Sequence, residues 1–346
     1  MVNAGRIFEL RPALLSLLRT HRIRGERRLM PVTKTDAGDM VSISTAKSTM
    51  KYLKRALPFY VMIIPGLLYF LIFRYGPMFG VLIAFKNYSP FKGVWKSSWV
   101  GLDHFVRLFT ERDFLLLLKN TLVLNVLDIL IAFPFPIMIA IMLNEVRNKY
   151  FRGSMQTIMY APHFLSWVVI VGITVLFLGA QDGGLNMLLR EMGLGTINFM
   201  TDPHFFRPVW VFQNIWQGAG WGAIIYLASI ASIDPALYEA ARVDGASKLR
   251  QMWHITLPAL KTVIVIMLIL RLGNFIEVGF EHIFLLQNSL NLNVSDVFDT
   301  YVYRQGLIQG DFSYSTAVGL FKSLVGLIMV MGANAIAKRF GEEGVY

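Results

Sequence analysis

Six apolar stretches punctuate this chain, each meeting or exceeding the roughly 20 helical residues needed to cross a hydrocarbon layer about 30 Å thick. They fall near 58–85, 115–143, 156–180, 208–231, 257–280 and 314–337. In lipid only helices and closed barrels satisfy their own backbone, and runs of this length suit helices. The expected fold class is therefore an all-α membrane protein with six transmembrane helices. A pair of soluble domains, which 346 residues alone would suggest, does not fit 55% hydrophobic residues, 16% charged and a mean hydropathy of +0.52. The first run carries Pro65, Gly66, Gly76 and Pro77, so a kinked or broken helix is expected there. It begins too far from the start for a secretory signal peptide and is expected to stay in the mature protein. Segments rich in Gly, Asn, Asp and charge, such as 181–184 and 287–311, read as loops.

Charge orients the spans. The formal net charge is +11, and residues 1–57 hold twelve Lys/Arg against four acids. With that basic tail inside, the inside segments carry 20 Lys/Arg and the outside segments eight, so both termini are expected to be cytoplasmic. The expected organisation is a basic tail over 1–57, a six-helix membrane domain over 58–337, a cytoplasmic loop at 232–258 and a C-terminal tail over 338–346. Residues 14–18 form a short apolar patch within the tail, and a start at Met30 is conceivable. A basic stretch ending at Lys54 and Arg55, directly before an apolar run, reads as an anchor at the bilayer and not as a nucleic-acid-binding arm.

Catalytic chemistry finds little support. With no Cys, disulfides and thiolate chemistry are excluded, and no two of the six histidines stand three or four residues apart as a helix-borne metal site would require. Neither a phosphate-binding Gly-x-x-x-x-Gly-Lys-Ser/Thr loop nor a Gly-x-Ser-x-Gly elbow is present. Glu111, Asp113 and Glu191 read as solvated loop charges. A membrane enzyme such as a glycosyltransferase would need a clustered acidic or His site that the sequence does not offer.

Polar residues inside the spans are the other signal. Trp210, Gln213, Asn214, Gln217 and Trp221 fall on one face of the fourth span, where amides suit sugar hydroxyls and indole faces suit a pyranose ring. An aromatic belt with interhelical amide bonds would produce the same pattern. In the fifth span Arg271, Asn274 and Glu277 recur every three residues, and charges at that depth should face a cavity or each other. Arg271 would suit a carboxylated sugar, whereas Glu277 opposes one unless it pairs with Arg271 or another cation; a neutral oligosaccharide is the alternative. Thr121, Asn125 and Asp128 form a similar stripe, read as interhelical hydrogen bonding, and Arg74, Lys119 and Lys322 read as snorkelling or ion-paired. An ion-coupled secondary transporter using Asp128 and Glu277 is a competing reading.

Between the fourth and fifth spans, Asp234 is a good N-cap, Pro235 suits the first helical position, Gly245 can end the helix in the left-handed region, and a second short helix starts at Ser247. The loop reads Glu239-Ala240-Ala241, three residues ending in Asp244, Gly245, nine residues, Ile255, one residue, Leu257-Pro258. This pattern resembles the signature of permease subunits from binding-protein-dependent ABC importers at every position. The stretches 64–66, 75–77 and 100–105 resemble sugar importers of the maltose-permease type, and 279–281, 296–304 and 314–320 resemble their oligosaccharide and polysaccharide subgroup, which includes the alginate importer permease. The resemblance implies a type I importer permease in the bacterial inner membrane that moves a saccharide by alternating access. The implied partners are a second homologous permease, a cytoplasmic ATPase dimer that binds the ATP and Mg, and an external solute-binding protein. The loop from Glu239 to Gly245 would dock on the ATPase, and the chain would be a transport subunit without enzymatic activity of its own.

Overall fold

The computed structural model describes residues 44–339, with side chains from residue 56. The basic stretch 1–43, with its apolar patch at 14–18, and residues 340–346 of the C-terminal tail lie outside the described residues. The chain divides into two units, Met1–Tyr69 and Phe70–Tyr346. In the first, helix α1 (Ser44–Phe70) runs unbroken through Pro58 and Pro65, so the irregularity expected of this span is not at Pro65-Gly66. The irregularity comes later, as a π-helical turn at Leu71–Tyr75 and a 3₁₀ segment at Phe79–Phe85. A two-residue antiparallel ribbon, β1 (Lys86–Asn87) with β2 (Ser98–Trp99), follows in the second unit.

Ala56–Phe85, Phe114–Glu145 and Phe312–Arg339 each qualify as a continuous membrane-crossing helix by length and composition, and three bent pairs bring the number to six. Helix α2 (Asp103–Thr110) leads into α3 (Phe114–Leu127), which passes through a π-turn at Asp128–Ala132 into α4 (Pro134–Glu145). The third stretch differs from the expected single span. Helix α5 (Lys149–Tyr160) and a 3₁₀ turn at Ala161–Phe164 meet α6 (Trp167–Leu178) at 103°. Pro162 cannot continue the ladder, and the Ser166 hydroxyl accepts from the Val169 N–H to start α6 afresh. After α7 (Gly184–Glu191), α8 (Pro203–Ala231) is the long central helix. Its N-cap Asp202 accepts from the His204 backbone N–H, and that bond, with the His204 ring, holds the exposed carboxyl below its usual range.

Helix α8 turns by 72° into α9 (Pro235–Val243), and α10 (Lys248–Gln251) leads through a π-turn at Met252–Thr256 towards α11 (Lys261–Gly273). The fifth span ends as a helix at Gly273, and Asn274–Gly279 is unwound. Beyond it, the stretch 280–311, which includes the expected loop 287–311, carries regular structure. It folds as α12 (Phe280–Leu286), a short turn at Leu292–Ser295 and α13 (Phe298–Tyr303), before α14 (Phe312–Arg339) closes the chain. Asn291, Ser295, Asp296 and Thr300 are buried because their polar groups find partners within the segment. Asn291 donates to the Leu286 carbonyl, the Thr300 hydroxyl donates to Asp296, and Arg304 grips the Asp296 carboxylate through both terminal nitrogens.

Three apolar clusters hold the second unit together. Leu124, Phe206, Trp210, Ile283 and Leu286 join α3, α8 and α12; Leu117, Phe298, Tyr301, Tyr314 and Val318 join α3, α13 and α14; Ala140, Ala223, Tyr226 and Leu260 join α4, α8 and the start of α11. Since lipid is as apolar as these side chains, close packing and not exclusion of water favours such contacts at membrane depth. Gly220 shows how close: a Cβ there would lie 2.0 Å from the Met159 carbonyl oxygen, so α5 and α8 touch backbone to backbone.

Candidate functional site

The irregular backbone converges on one cavity of about 740 Å³. Its walls come from the π-turn at Asp128, the face of α8 carrying Trp210, Asn214, Gln217 and Tyr226, the end of α11 at Arg271, the unwound residues Asn274 to Gly279, His282 on α12 and Asp299 on α13. Unwound backbone at membrane depth is tolerable where it lines such a space, and broken helices in transporters commonly mark where cargo is handled.

Of the eight residues expected on a substrate path, Trp210, Asn214, Gln217, Arg271, Asn274 and Glu277 line this cavity. Gln213 and Trp221 do not. Gln213 accepts from His282 Nε2 at 2.6 Å and donates to the Thr174 hydroxyl at 2.5 Å, which makes it a strut between α6, α8 and α12. Trp221 stacks on His163, centroids 4.5 Å apart and nearly parallel, bracing α8 against the 3₁₀ turn. Trp210 Nε1 and Asn214 Nδ2 are buried donors without a partner among the described residues, held out of contact with the cavity's open space in this conformation. A second cavity of about 490 Å³ lies beyond Gln213, walled by Phe177, Phe205, Phe212 and Trp216. It is lined mainly by apolar side chains, and its Thr174 hydroxyl and Gln213 amide are bonded to each other, so it is poorly suited to a hydroxylated cargo.

The charges sort themselves. Arg271 grips Asp128 with Nε on Oδ2 at 2.5 Å and Nη2 on Oδ1, so its partner is the acid of the second span and not Glu277. The reason lies in the backbone: the helix stops at Gly273, which removes Glu277 from the face that Arg271 occupies. Lys322 pairs with Asp299, whose other oxygen accepts from the Val278 N–H at 3.3 Å. Asp128, the acid an ion-coupled mechanism would use, is only 3% exposed and fully committed to Arg271. Trp167, His282 and Asp299 were not expected on this cavity. Trp167 and His282 stack at 3.7 Å between ring centroids; the density of Asn, Asp and Gln just beyond the fifth span is the one signal for His282 and Asp299, and Trp167 has none.

The loop that joins the fourth and fifth spans is built from its caps. Asp234 accepts from the Ala236 N–H, and α9 ends where Gly245 takes φ +73°, with the Ala246 N–H returning to the Ala241 carbonyl at 2.8 Å. The Ser247 hydroxyl then caps α10, and Gln251 donates back to the Ala246 carbonyl. Glu239, Ala240, Asp244, Gly245 and Pro258 are exposed, while Ala241, Ile255 and Leu257 are half-buried. Two contacts tie the loop to its surroundings: Tyr238 to the Thr256 hydroxyl at 2.9 Å, and Lys248 to Glu145 at the end of α4. Exposed Leu237, Val243, Leu249 and Trp253 flank it, an apolar surface that the expected residues did not include.

The sequence profile of the binding-protein-dependent transport system inner membrane components matches residues 132–342. The chain is 57% identical over 287 residues to the polygalacturonan/rhamnogalacturonan transport system permease protein YteP of Bacillus subtilis (strain 168), covering 83% of this chain and 89% of that one. It is 53% identical over 299 residues to protein LplB of the same organism, covering 86% and 94%. Among solved structures it is similar to a chain of a bacterial alginate ABC transporter in complex with an alginate pentasaccharide-bound periplasmic protein. The TM-score is 0.79 and the identity 43%, over 85% of this chain and 99% of the other. A bent six-span helical architecture, a polar cavity at its broken helices and the match to the family profile over most of the chain agree, and the chain belongs to the binding-protein-dependent transport system inner membrane components, the permease subunits of ABC importers.

Proposed function

We propose that this chain is one of two permease subunits of an ATP-driven importer for an oligo- or polysaccharide rich in uronic acids, working in the bacterial inner membrane with both termini cytoplasmic. The observation that carries the proposal is the polar cavity lined by Gln217, Asn274 and Glu277, in the same chain as an exposed, firmly capped Glu239–Pro258 loop. The acidic-saccharide class rests on the relatives, one named for polygalacturonan and rhamnogalacturonan and the other solved with alginate.

In this reading a solute-binding protein delivers the saccharide, and the cavity holds it through hydroxyl contacts from the amides of Gln217 and Asn274, against a wall that includes Trp210 and Asn214. A homologous permease completes the path, and an ATPase dimer binds ATP and Mg and supplies the hydrolysis. Helix α9, presenting Glu239, Ala240, Asp244 and Gly245, docks on that dimer, and Ala241, Ile255, Leu257 and Pro258 brace it against the spans. Closure of the ATPase then rocks the spans as near-rigid bodies, since the loop is bonded to α4 through Lys248 and to its own π-turn through Tyr238. The test is uptake of labelled oligogalacturonides into vesicles holding the assembled complex, with ATP on the loop side and binding protein on the other. Uptake that needs ATP, ATPase and binding protein together is expected. Equal uptake by this chain alone, without nucleotide, would overturn the proposal.

A further inference from the structure

The carboxylate of Glu277 is the one cavity-lining charge without an ionic or hydrogen-bonding partner among the described residues. Four charged side chains line the cavity: Asp128, Arg271, Glu277 and Asp299. Asp128 and Arg271 neutralise each other through two contacts, and Asp299 is neutralised by Lys322. Only the backbone N–H of Glu277 is bonded, to the Asn274 carbonyl at 2.8 Å. The residue is exposed on the unwound stretch of the fifth span, and its place there is fixed from behind, because Asp299 holds the next backbone N–H, that of Val278. The cavity wall in this chain is therefore net negative. A wall meant to grip carboxylates would show the opposite, a guanidinium with its charge unspent.

We infer that Glu277 is a specificity-determining residue: it accepts hydrogen bonds from sugar hydroxyls and turns the carboxylates of the cargo away from this side of the cavity. The inference rests on the saccharide reading above and deepens it. A carboxylate is acceptor-only and takes two hydroxyls of one ring, while the cavity-lining amides of Gln217 and Asn274 serve as donors to ring and hydroxyl oxygens. Together they recognise the hydroxylated edge of a pyranose. The same negative charge opposes a uronate group at short range, so an acidic saccharide passes with its carboxylates facing the second permease.

The experiment compares KM for ATP-driven uptake of an oligogalacturonide and of its fully methyl-esterified form, which keeps the hydroxyls and loses the charge. The assembled complex is used with one and the same binding protein, so that protein's own preference cancels between variants. Glu277→Gln is expected to raise the ratio of ester KM to acid KM on the order of tenfold, the size of one charge–charge interaction in a partly screened site. Glu277→Asp is expected to keep the wild-type ratio, and Glu277→Ala serves in place of the glutamine variant if the latter does not assemble. An unchanged ratio in the uncharged variants would overturn the inference, as would a fall, which would mean that Glu277 holds a cation for the uronate. Wild-type complex that takes up neither compound would remove the saccharide reading itself, a result distinct from both.

Discussion

Arg271 and Asp128 show what a single contact contributes at membrane depth. Asp128 is buried at the start of a π-turn, whereas Arg271 is 53% exposed in its side chain and reaches it from the end of α11. Removing the arginine strands a buried carboxylate, an effect of about 3–5 kcal/mol when an ion pair is broken from one side. Arg271→Gln is accordingly expected to lower the melting temperature of the detergent-solubilised complex, and Asp128→Asn in the same chain is expected to restore most of the loss. Additive losses in the double variant would show that the two residues act separately. Gly245 is the other residue whose chemistry is dictated by its place. At φ +73° a β-branched side chain is strained by about 1–3 kcal/mol, with nothing nearby to clash against. Gly245→Val is expected to leave membrane insertion intact and to abolish the stimulation of ATP hydrolysis by loaded binding protein; full stimulation in an assembled complex would remove the loop from coupling. At this scale the sequence was legible where a residue's role is local. Asp234, Gly245 and Ser247 do what caps and a left-handed turn require, because those signals need only the next few residues. Gln213 and Trp221 were not legible, because a helical face says which residues point together and nothing about what meets them.

Among the elements, breaks matter more than helices. Periodicity placed Arg271, Asn274 and Glu277 on one stripe, an inference valid only while the helix continues, and it stops at Gly273. The third span bends by 103° for a related reason: hydropathy is blind to direction, and Pro162 with the Ser166 cap changes it within four residues. The 287–311 segment read as a loop from its polarity, yet Asn291, Ser295, Asp296 and Thr300 are buried and hydrogen-bonded, a context that composition does not carry. Close contact between elements gives a further prediction. Replacing Gly220 by Ala puts a methyl group 2.0 Å from the Met159 carbonyl oxygen, so α5 must move away from α8. Overpacking of this kind typically costs about 1–3 kcal/mol. The variant is expected to melt below the wild-type complex, and melting at the wild-type temperature would show that the two helices part without cost.

In the whole molecule a cavity at the broken spans and a capped loop between the fourth and fifth spans lie in one chain, with the loop bonded to α4 through Lys248 and Glu145. In the function proposed above, the cavity opens alternately to the two sides of the membrane as the partner ATPase closes and releases. The absence of cysteine from the chain makes this directly measurable, because a single Asn274→Cys substitution places a unique thiol on the cavity wall. The measurement is the rate at which membrane-impermeant thiol reagents modify that cysteine from each side of vesicles containing the assembled complex. Modification is expected from the side bearing the Glu239–Pro258 loop without nucleotide, and from the opposite side with loaded binding protein and a non-hydrolysable ATP analogue. Modification from the same side in both states would contradict alternate opening.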